Sequence, residues 1–197
     1  MLAPLVNTGA PTRVSLYENT FLHAAEVWAG CSDHLEACHL VPAGKLMRET
    51  YKGKSDYALA PLSTAGIQQI VSAIEARGSI SMPGRGILLL DSYGGAINRV
   101  PKAATAFVHR DVLFSMQYVA YWNSAAQAAG NLAWIRAFYA AMRPYVSGFA
   151  YQNYIDPDLK SWAHAYYGSN LPRLVAVKKA YDPGNHFRFA QSIPTHL

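Results

Sequence analysis

Apolar side chains recur at spacings of three and four residues in several stretches of the chain, which is the pattern of amphipathic helices. The pattern predicts a helix over residues 18–30, ended by Gly30, and another over residues 61–77, ended by Gly78. Ser63 is placed to cap the second helix at its N-terminus. The stripes expected to face a core are Phe21, Leu22, Ala25 and Trp28 in the first helix and Ile67, Ile70, Val71 and Ile74 in the second.

A third stretch has the longest helical periodicity. It covers residues 126–147, and Pro144 is expected to weaken its final turn. Two shorter helices are predicted over residues 159–167 and 172–180, after an aromatic loop. The expected core positions of the long helix are Leu132, Ile135, Tyr139, Met142 and Val146.

Three further segments have the character of β-strands. Residues 45–57 are mixed and predict a strand followed by a loop, whereas residues 86–93 form an apolar run typical of a buried strand. In residues 113–122 successive side chains point to opposite faces of a sheet. One face is expected to pack and the other is free to line a polar cavity; they carry Phe114, Met116, Tyr118 and Trp122, and Ser115, Gln117, Val119 and Tyr121, respectively.

The order of these elements is not a regular alternation of strand and helix, so a parallel sheet is not expected. The sequence predicts an α+β fold in which helices cover one side of a largely antiparallel sheet. A short and mostly helical C-terminal segment follows this sheet. No internal repeat or low-complexity tract is present in the sequence.

Composition and charge narrow the class of protein. The 197 residues are 51% hydrophobic, and no apolar run approaches the roughly 20 residues that a membrane-spanning helix needs. The net charge of +5 is scattered, without the clustered Lys and Arg typical of a nucleic-acid-binding surface. Neither a membrane nor a nucleic acid is therefore an expected partner. The N-terminal residues lack the pattern of a secretory signal, which favours the cytoplasm over secretion while leaving the compartment unassigned.

Cys31 and Cys38 are the two cysteines of the chain, too few for a disulfide framework in a protein of this size. With His34 between them, at steps of three and four residues, they would share one helical face and form a candidate zinc site. A thiol in a core and a histidine on a solvated turn explain the same residues. We therefore predict no metal.

The segment from Tyr151 to Asp156 is the most informative part of the sequence for chemistry. Tyr151 and Tyr154 flank Asn153 in a loop after the longest helix, and loops on a rigid scaffold often carry functional sites. A tyrosine acts as a general base only when a neighbouring cation or hydrogen bonds lower its pKa from about 10. The alternative is a buried tyrosine whose hydroxyl makes an ordinary hydrogen bond.

Several motifs, taken in order, resemble the C-terminal part of the berberine-bridge-enzyme-like flavoproteins, FAD-linked oxidoreductases of the vanillyl-alcohol-oxidase superfamily. Each motif is common by itself, but their order and their position near the C-terminus are specific. The similarity covers roughly residues 16–194. The motifs are Lys54-Ser55-Asp56-Tyr57, Tyr93-Gly94-Gly95, His109-Arg110, Tyr151-Gln152-Asn153-Tyr154, Val177-Lys178, Asp182-Pro183-Gly184-Asn185-His186-Phe187 and Gln191-Ser192-Ile193-Pro194.

The resemblance implies FAD as the cofactor and hydride transfer from a small organic substrate to the flavin N5. Molecular oxygen or another acceptor would then take up the electrons. Tyr154 matches the family's catalytic base, and Tyr151 and Asn153 match positions that approach the flavin. The substrate is not implied, because the family oxidises sugars, alkaloids, polyketides and alcohols with the same base and cofactor.

The resemblance also suggests substrate-binding residues. Tyr93 and Gln117 match positions that line the family's substrate pocket. Asp91 shares the strand face of Tyr93, and we interpret it as a pocket residue that orients Tyr154. An exposed Asp at a strand end is the alternative interpretation.

The remaining polar motifs have plainer interpretations. His109-Arg110 either binds an anionic substrate group or caps a strand end, and the structural role is favoured. Lys54 and Asp56 are interpreted as surface residues or as a local ion pair. A serine hydrolase is disfavoured because the sequence has no Gly-x-Ser-x-Gly element.

The resemblance also predicts that an FAD-binding half completes the active site. The FAD-binding half of the family, with its glycine-rich phosphate loops, is expected to precede residue 1, and nothing in the sequence resembles it. Residues 1–148 are expected to be part of the substrate-binding domain, and residues 149–197 a C-terminal segment that packs back on the FAD domain. The chain alone is then expected to be inactive. The alternative is a non-catalytic or truncated fragment that only binds a small molecule or a partner subunit.

Overall fold

The computed structural model describes residues 16–31, 35–79 and 84–196, and the chain divides into two compact units, Met1–Arg48 and Glu49–Leu197. No helix among the described residues has the length and apolar character needed to cross a bilayer. The strands of these residues are β1 (Thr50–Ala58), β2 (Gly86–Ser92) and β3 (Phe114–Trp122). The helices are α1 (Phe21–Trp28), α2 (Thr64–Ser79), α3 (Gly95–Arg99), α4 (Ala128–Met142), α5 (Trp162–Tyr167) and α6 (Leu171–Tyr181).

The first unit contains α1, whose prediction from the sequence is confirmed. Thr20 caps the helix, since its hydroxyl accepts a hydrogen bond from the backbone N–H of His23 at 3.1 Å. The apolar stripe is nevertheless not buried: Phe21 is 91% exposed and Trp28 is 88% exposed. Periodicity identifies an apolar face but not what covers it, so the predicted core contact of this stripe was wrong for the described residues.

Cys31 and Cys38 are joined by a disulfide. The interpretation of a thiol in a core was therefore wrong, because a spacing of seven residues does not by itself show whether two cysteines meet. Bonded to each other, the two sulfurs are not thiolate ligands for zinc. His34 lies outside the described residues, and within those residues no His, Cys, Asp and Glu side chains cluster to hold a metal ion.

The second unit is built on a three-stranded antiparallel sheet in the order β1-β3-β2, which confirms the predicted α+β class. β3 lies in the middle, and its predicted packing face is confirmed because Met116 and Tyr118 are fully buried. β2 is an edge strand, and Leu90 in it is 57% exposed. The prediction of a buried strand was wrong here, since apolar composition does not distinguish a central strand from an edge strand.

Helix α4 packs on β3 and contributes most of the core. The helix is shorter than the predicted range of 126–147, because it ends at Met142, before Pro144, and a short 3-10 turn over Arg143–Tyr145 follows. The core residues from this helix are Trp134, Ile135, Phe138 and Met142.

Helix α2 packs beside α4. The predicted cap is confirmed, since the Ser63 hydroxyl accepts a hydrogen bond from the backbone N–H of Gly66 at 3.2 Å. Gly66 faces inward, where a Cβ would lie 3.1 Å from the ring of Tyr145. This close approach fixes the rotation of the helix, so Ile70 and Ala73 pack on the core. The other predicted core positions are exposed, contrary to expectation: Ile67, Val71 and Ile74.

The C-terminal helices α5 and α6 lie close to the predicted ranges. After α6, the Asp182 carboxylate accepts hydrogen bonds from the backbone N–H groups of His186 at 2.8 Å and Phe187 at 3.1 Å. Lys178 pairs with the same carboxylate. Asn185 has a φ of 51°, a left-handed conformation that asparagine tolerates better than most residues. The Asp-Pro-Gly-Asn motif therefore forms a closed turn that ends the helix.

Candidate active site

The face of the sheet opposite α4 carries one wall of a cavity. In an antiparallel pair, residues directly opposite each other share a face, and Tyr51 lies opposite Tyr121 while Ser55 lies opposite Gln117. This face and the loop after α4 enclose a cavity of about 450 Å³. The structure thus brings together strand residues and loop residues that are distant in sequence. The cavity is lined by Tyr51, Gly53, Gln117, Tyr121, Asn153, Tyr154 and Ile155.

Tyr154 is half-buried at this cavity, and the ring of Tyr151 meets its ring edge-on with centroids 4.9 Å apart. Burial raises the pKa of the Tyr154 phenol above its usual value of 10.0, and the charge of Asp91 raises it further. A general base needs the opposite shift. Tyr154 therefore opens on the cavity, and among the described residues no neighbouring cation lowers its pKa.

Asp91 lies beside Tyr154 at the end of β2. It pairs with Ser115 in the register of β2 and β3, and the Ser115 hydroxyl donates a hydrogen bond to its carboxylate at 3.5 Å. The effect of Asp91 on the pKa of Tyr154 reflects the proximity of the two groups. Asp91 is exposed and is not among the residues that line the cavity, so its role as a pocket residue stays a prediction.

Tyr93 is not among the residues that line the cavity. Its hydroxyl lies 3.4 Å from that of Tyr57, and the two rings meet edge-on with centroids 5.5 Å apart. Phe107 stacks on Tyr93 and meets the ring of Tyr151, which in turn contacts Tyr154. Tyr93 therefore belongs to an aromatic cluster that supports the loop from behind.

Asn153 and Gln152 complete the loop. The Asn153 amide donates a hydrogen bond to the Tyr151 hydroxyl at 2.8 Å, so these two predicted flavin-contact residues are coupled to each other. Gln152 Oε1 is buried, and no hydrogen-bond partner for it is found in the described part of the chain. A buried acceptor without a donor is uncommon in native structures and marks a group worth explaining.

The Lys54-Ser55-Asp56-Tyr57 segment of β1 holds this loop in place. The Ser55 hydroxyl accepts a hydrogen bond from the backbone N–H of Tyr151 at 2.9 Å, and the Lys54 ammonium donates to the Asp156 carboxylate at 2.7 Å. One strand therefore fixes the loop at both ends of the Tyr-Gln-Asn-Tyr motif. The strand's role could have been found from its alternation, which places Tyr51, Gly53, Ser55 and Tyr57 on one face.

Lys54 and Asp56 were wrongly interpreted as surface residues. Lys54 is 3% exposed and Asp56 is completely buried. Asp56 pairs with Arg143 and accepts a hydrogen bond from the Tyr118 hydroxyl at 3.3 Å. Burial raises the pKa of Asp56 to about 7, although Arg143 acts to lower it. The partners lie far away in sequence, so local patterns give no sign of them.

The Lys54–Asp156 contact is part of a larger charge network. Lys52 also binds Asp156, and both lysines lie 3.3 Å from the Asp158 carboxylate. Arg136 on α4 reaches Asp158 from the solvent side at 2.9 Å. The hydrogen bonds of Arg136, with the two lysines, hold the pKa of Asp158 well below its usual range. The network ties the loop to both β1 and α4.

His109 is a buried structural residue. Its Nε2 lies 3.0 Å from the backbone carbonyl of Tyr166, and its ring packs against Tyr57 with centroids 4.4 Å apart. Burial lowers the pKa of His109 to about 4, although the carbonyls of Tyr166 and Ala150 act to raise it. These contacts tie the segment before β3 to the C-terminal helices.

Comparisons with known proteins agree on one group. Residues 150–194 match the family described as Berberine and berberine like. Berberine bridge enzyme-like Cyn d 4 of Cynodon dactylon is 38% identical over 165 residues, which cover 74% of this chain and 30% of that protein. The FAD-linked oxidoreductase YvdP of Bacillus subtilis is 45% identical over 103 residues, 52% of this chain and 23% of that protein.

A solved structure is similar over the whole chain. BBE-like 1 of Physcomitrella patens has a TM-score of 0.80 and 36% sequence identity, covering 100% of this chain and 42% of that one. At this identity the two proteins are similar in sequence as well as in fold. The chain spans about a third of the length of the curated relatives that it matches.

Proposed function

Because the chain belongs to the berberine bridge enzyme-like family of FAD-linked oxidoreductases, we propose that it carries the substrate side of an FAD-dependent active site. The observation that carries this proposal is the cavity that Tyr154, Asn153 and Gln117 share on the open face of the sheet. Its volume of about 450 Å³ suits a small organic molecule.

Tyr154 is the proposed base in this site. It accepts the proton of a substrate hydroxyl while hydride leaves the adjacent carbon, which requires the phenol to be ionised. Since burial and Asp91 raise its pKa in the chain described here, a positive charge that lowers it must come from outside these residues. Asp91 then serves to orient the phenol and not to ionise it.

FAD supplies the hydride acceptor of the reaction when it is bound. The loop fits the edge of a flavin ring, because the unpartnered Gln152 Oε1 is an acceptor that an imide N–H would satisfy. Tyr151 and Asn153, held together by their own hydrogen bond, are the proposed flavin contacts beside it. The sequence has no glycine-rich phosphate loop, so the diphosphate must be held by other polypeptide.

The substrate side of the site is assigned to Gln117, Asp91 and Tyr93. Gln117 reaches the cavity directly and offers an amide donor and acceptor. Tyr93 acts through the aromatic cluster behind the loop. Oxygen or another acceptor would take the electrons in the second half of the reaction, and without the FAD-binding half the chain is expected not to turn over.

Replacing Tyr154 with Phe in the FAD-loaded protein tests the proposed base. The loss of a general base should slow reduction of the flavin by substrate by roughly 100-fold or more, which stopped-flow absorbance measures under anaerobic conditions. The matched control is Tyr181→Phe, because Tyr181 is 87% exposed and distant from the loop in sequence. An unchanged rate of reduction in Tyr154→Phe would remove this residue from the role.

A non-catalytic binding module is the second candidate. The observation that favours it is the raised pKa of Tyr154, which disfavours the phenolate that a base needs. The flavin absorbance band in the purified protein, together with any polypeptide that accompanies it, separates the two. A protein that binds small molecules but retains no flavin under any condition would support the module.

A further inference from the structure

We infer that Gly53 determines how large a ring the cavity admits, because the bound ligand lies directly on the backbone of β1 at this position. The inference rests on the proposed function in one respect, namely that the ligand is the molecule oxidised at Tyr154. The assignment of Gly53 itself comes from the strand and its surroundings.

A glycine in the middle of a strand weakens the strand, because it adds backbone entropy to the unfolded chain and contributes no side chain to the packing. Gly53 lies in the interior of β1, paired with Val119 on β3. Such glycines often mark a place where a ligand or another chain comes close to the backbone.

The fold does not require glycine at this position. A Cβ on Gly53 would lie 3.7 Å from Cε2 of Tyr51 and 4.0 Å from the carbonyl oxygen of Tyr118, which are ordinary contacts. By contrast, a Cβ on Gly86 would lie 2.7 Å from the ring of Trp134, so packing explains that glycine. What a side chain at Gly53 would occupy is the cavity.

The walls of the cavity indicate the chemistry of the ligand. Tyr51 and Tyr121 form an aromatic wall with ring centroids 5.6 Å apart, and Gln117, Asn153 and Tyr154 provide hydrogen-bonding groups. A ring that bears hydroxyl groups, either aromatic or saccharide, satisfies both walls when its face rests on Gly53. A substituent at this position would lift the ring away from the strand.

The substitution Gly53→Cys tests the inference in the full chain, since the two native cysteines are bonded to each other and the new thiol is the single free one. It is treated with methyl, ethyl and benzyl methanethiosulfonate. The matched control is Gly78→Cys, at a position where no atom lies within 4 Å of a Cβ. We expect the benzyl reagent to react at least about 10-fold more slowly than the methyl reagent at position 53, and the two to react alike at position 78.

Two ring compounds, benzyl alcohol and D-glucose, test whether a bound ligand protects the new thiol from the reagents. At saturating concentration at least one of them should slow labelling at position 53 by about 10-fold and leave position 78 unchanged. Equal rates for all reagents at both positions, or no protection by either compound, would overturn the inference.

The substitution Gly53→Ala tests whether the fold itself requires glycine at this position. Because the Cβ has room, the variant should keep or raise its thermal unfolding midpoint. A midpoint lowered by more than about 5 °C would mean that the fold demands glycine, which would overturn the inference. The thiol measurements need no turnover, so they remain decisive even if Tyr154→Phe shows the proposed base to be wrong.

Discussion

Tyr57 and Tyr154 belong to one aromatic cluster, yet their surroundings give them different chemistry. Tyr57 is completely buried with its hydroxyl against Tyr93, whereas Tyr154 opens on the cavity. Burial raises the pKa of both phenols, and Asp91 adds to the effect at Tyr154. The motif around Tyr154 is visible in the sequence, but its pKa is raised by burial in the folded protein and by Asp91, a residue 63 positions away. That is why the candidate residue was accessible from the sequence and its ionisation was not.

The lowered pKa of His109 predicts how the stability of the protein depends on pH. Its folded pKa of about 4 lies below that of the unfolded chain, so the stability it contributes is present above about pH 6.5 and is lost as the pH falls toward 4. The loss should be on the order of 3 kcal/mol. Urea unfolding of the native protein and of His109→Gln across this range measures it.

His109→Gln should be less stable than the native protein at neutral pH and should show a weaker dependence on pH, because its amide does not titrate. Comparing the two proteins also removes the contribution of Asp56, whose raised pKa acts in the opposite direction. Parallel pH profiles of the two proteins would contradict the assignment to His109.

Among the elements, β1 and the loop after α4 form the unit that builds the site. The sequence predicted β3 and its packing face, because alternation over nine residues is a strong signal. On the other face only Gln117 and Tyr121 line the cavity, whereas Ser115 and Val119 are buried. The sequence placed β1 only approximately, since the lysines that point to the helix side break the expected pattern of a buried strand. Lys54 is buried and Lys52 partly buried only because Asp156 and Asp158 arrive from the loop. Partners of that kind come from tertiary structure and leave no local trace.

The charge network predicts that substitution of Lys54 and of Arg136 lowers the free energy of unfolding to different extents. Lys54→Met removes a buried cation from Asp156 and should lower the free energy of unfolding by up to about 3 kcal/mol, with Lys52 limiting the loss. Arg136→Met is the matched control, because the Arg136 side chain is 53% exposed and solvent screens its ion pair, so the loss should be much smaller. Denaturant unfolding measures both, and equal losses would show that the network does not hold the loop through Lys54.

Lys54→Arg should recover most of the stability, since it restores a cation to the same carboxylates. If the network positions Tyr154, it should also restore the rate of flavin reduction in the loaded protein. Recovery of stability without recovery of the rate would limit the network to a structural role.

For the molecule as a whole, the class of fold was predictable and the burial of individual faces was not. The α+β class followed from the order of elements, and the antiparallel sheet bears it out. The stripes on α1 and α2 show the limit, since Phe21, Trp28 and Ile67 are apolar at helical spacing and exposed. Whether a stripe is covered depends on what packs against it, which a helical pattern cannot specify.

The apolar surface near the C-terminus leads to a prediction about association. Tyr181 is 87% exposed and Phe187 is 81% exposed, with Val177 and Phe189 also exposed. Apolar patches of this kind promote contact with another surface, so the isolated chain should self-associate as its concentration rises. Sedimentation velocity measures this, and the double substitution Tyr181→Ser and Phe187→Ser should reduce it. A single monomeric species at every concentration would contradict the prediction.

The position of β1 at the margin of the sheet has one more consequence. Among the described residues no strand pairs with its outer side, and Ser55 and Lys54 fasten the segment from Tyr151 to Asp156 to it. An unprotected edge strand can pair with a second copy of the protein and so start fibrils, and lysine side chains on the strand commonly oppose this pairing. Lys52 and Lys54 put inward-pointing charges on this strand, so substitutions that remove them should lower solubility as well as loosen the loop.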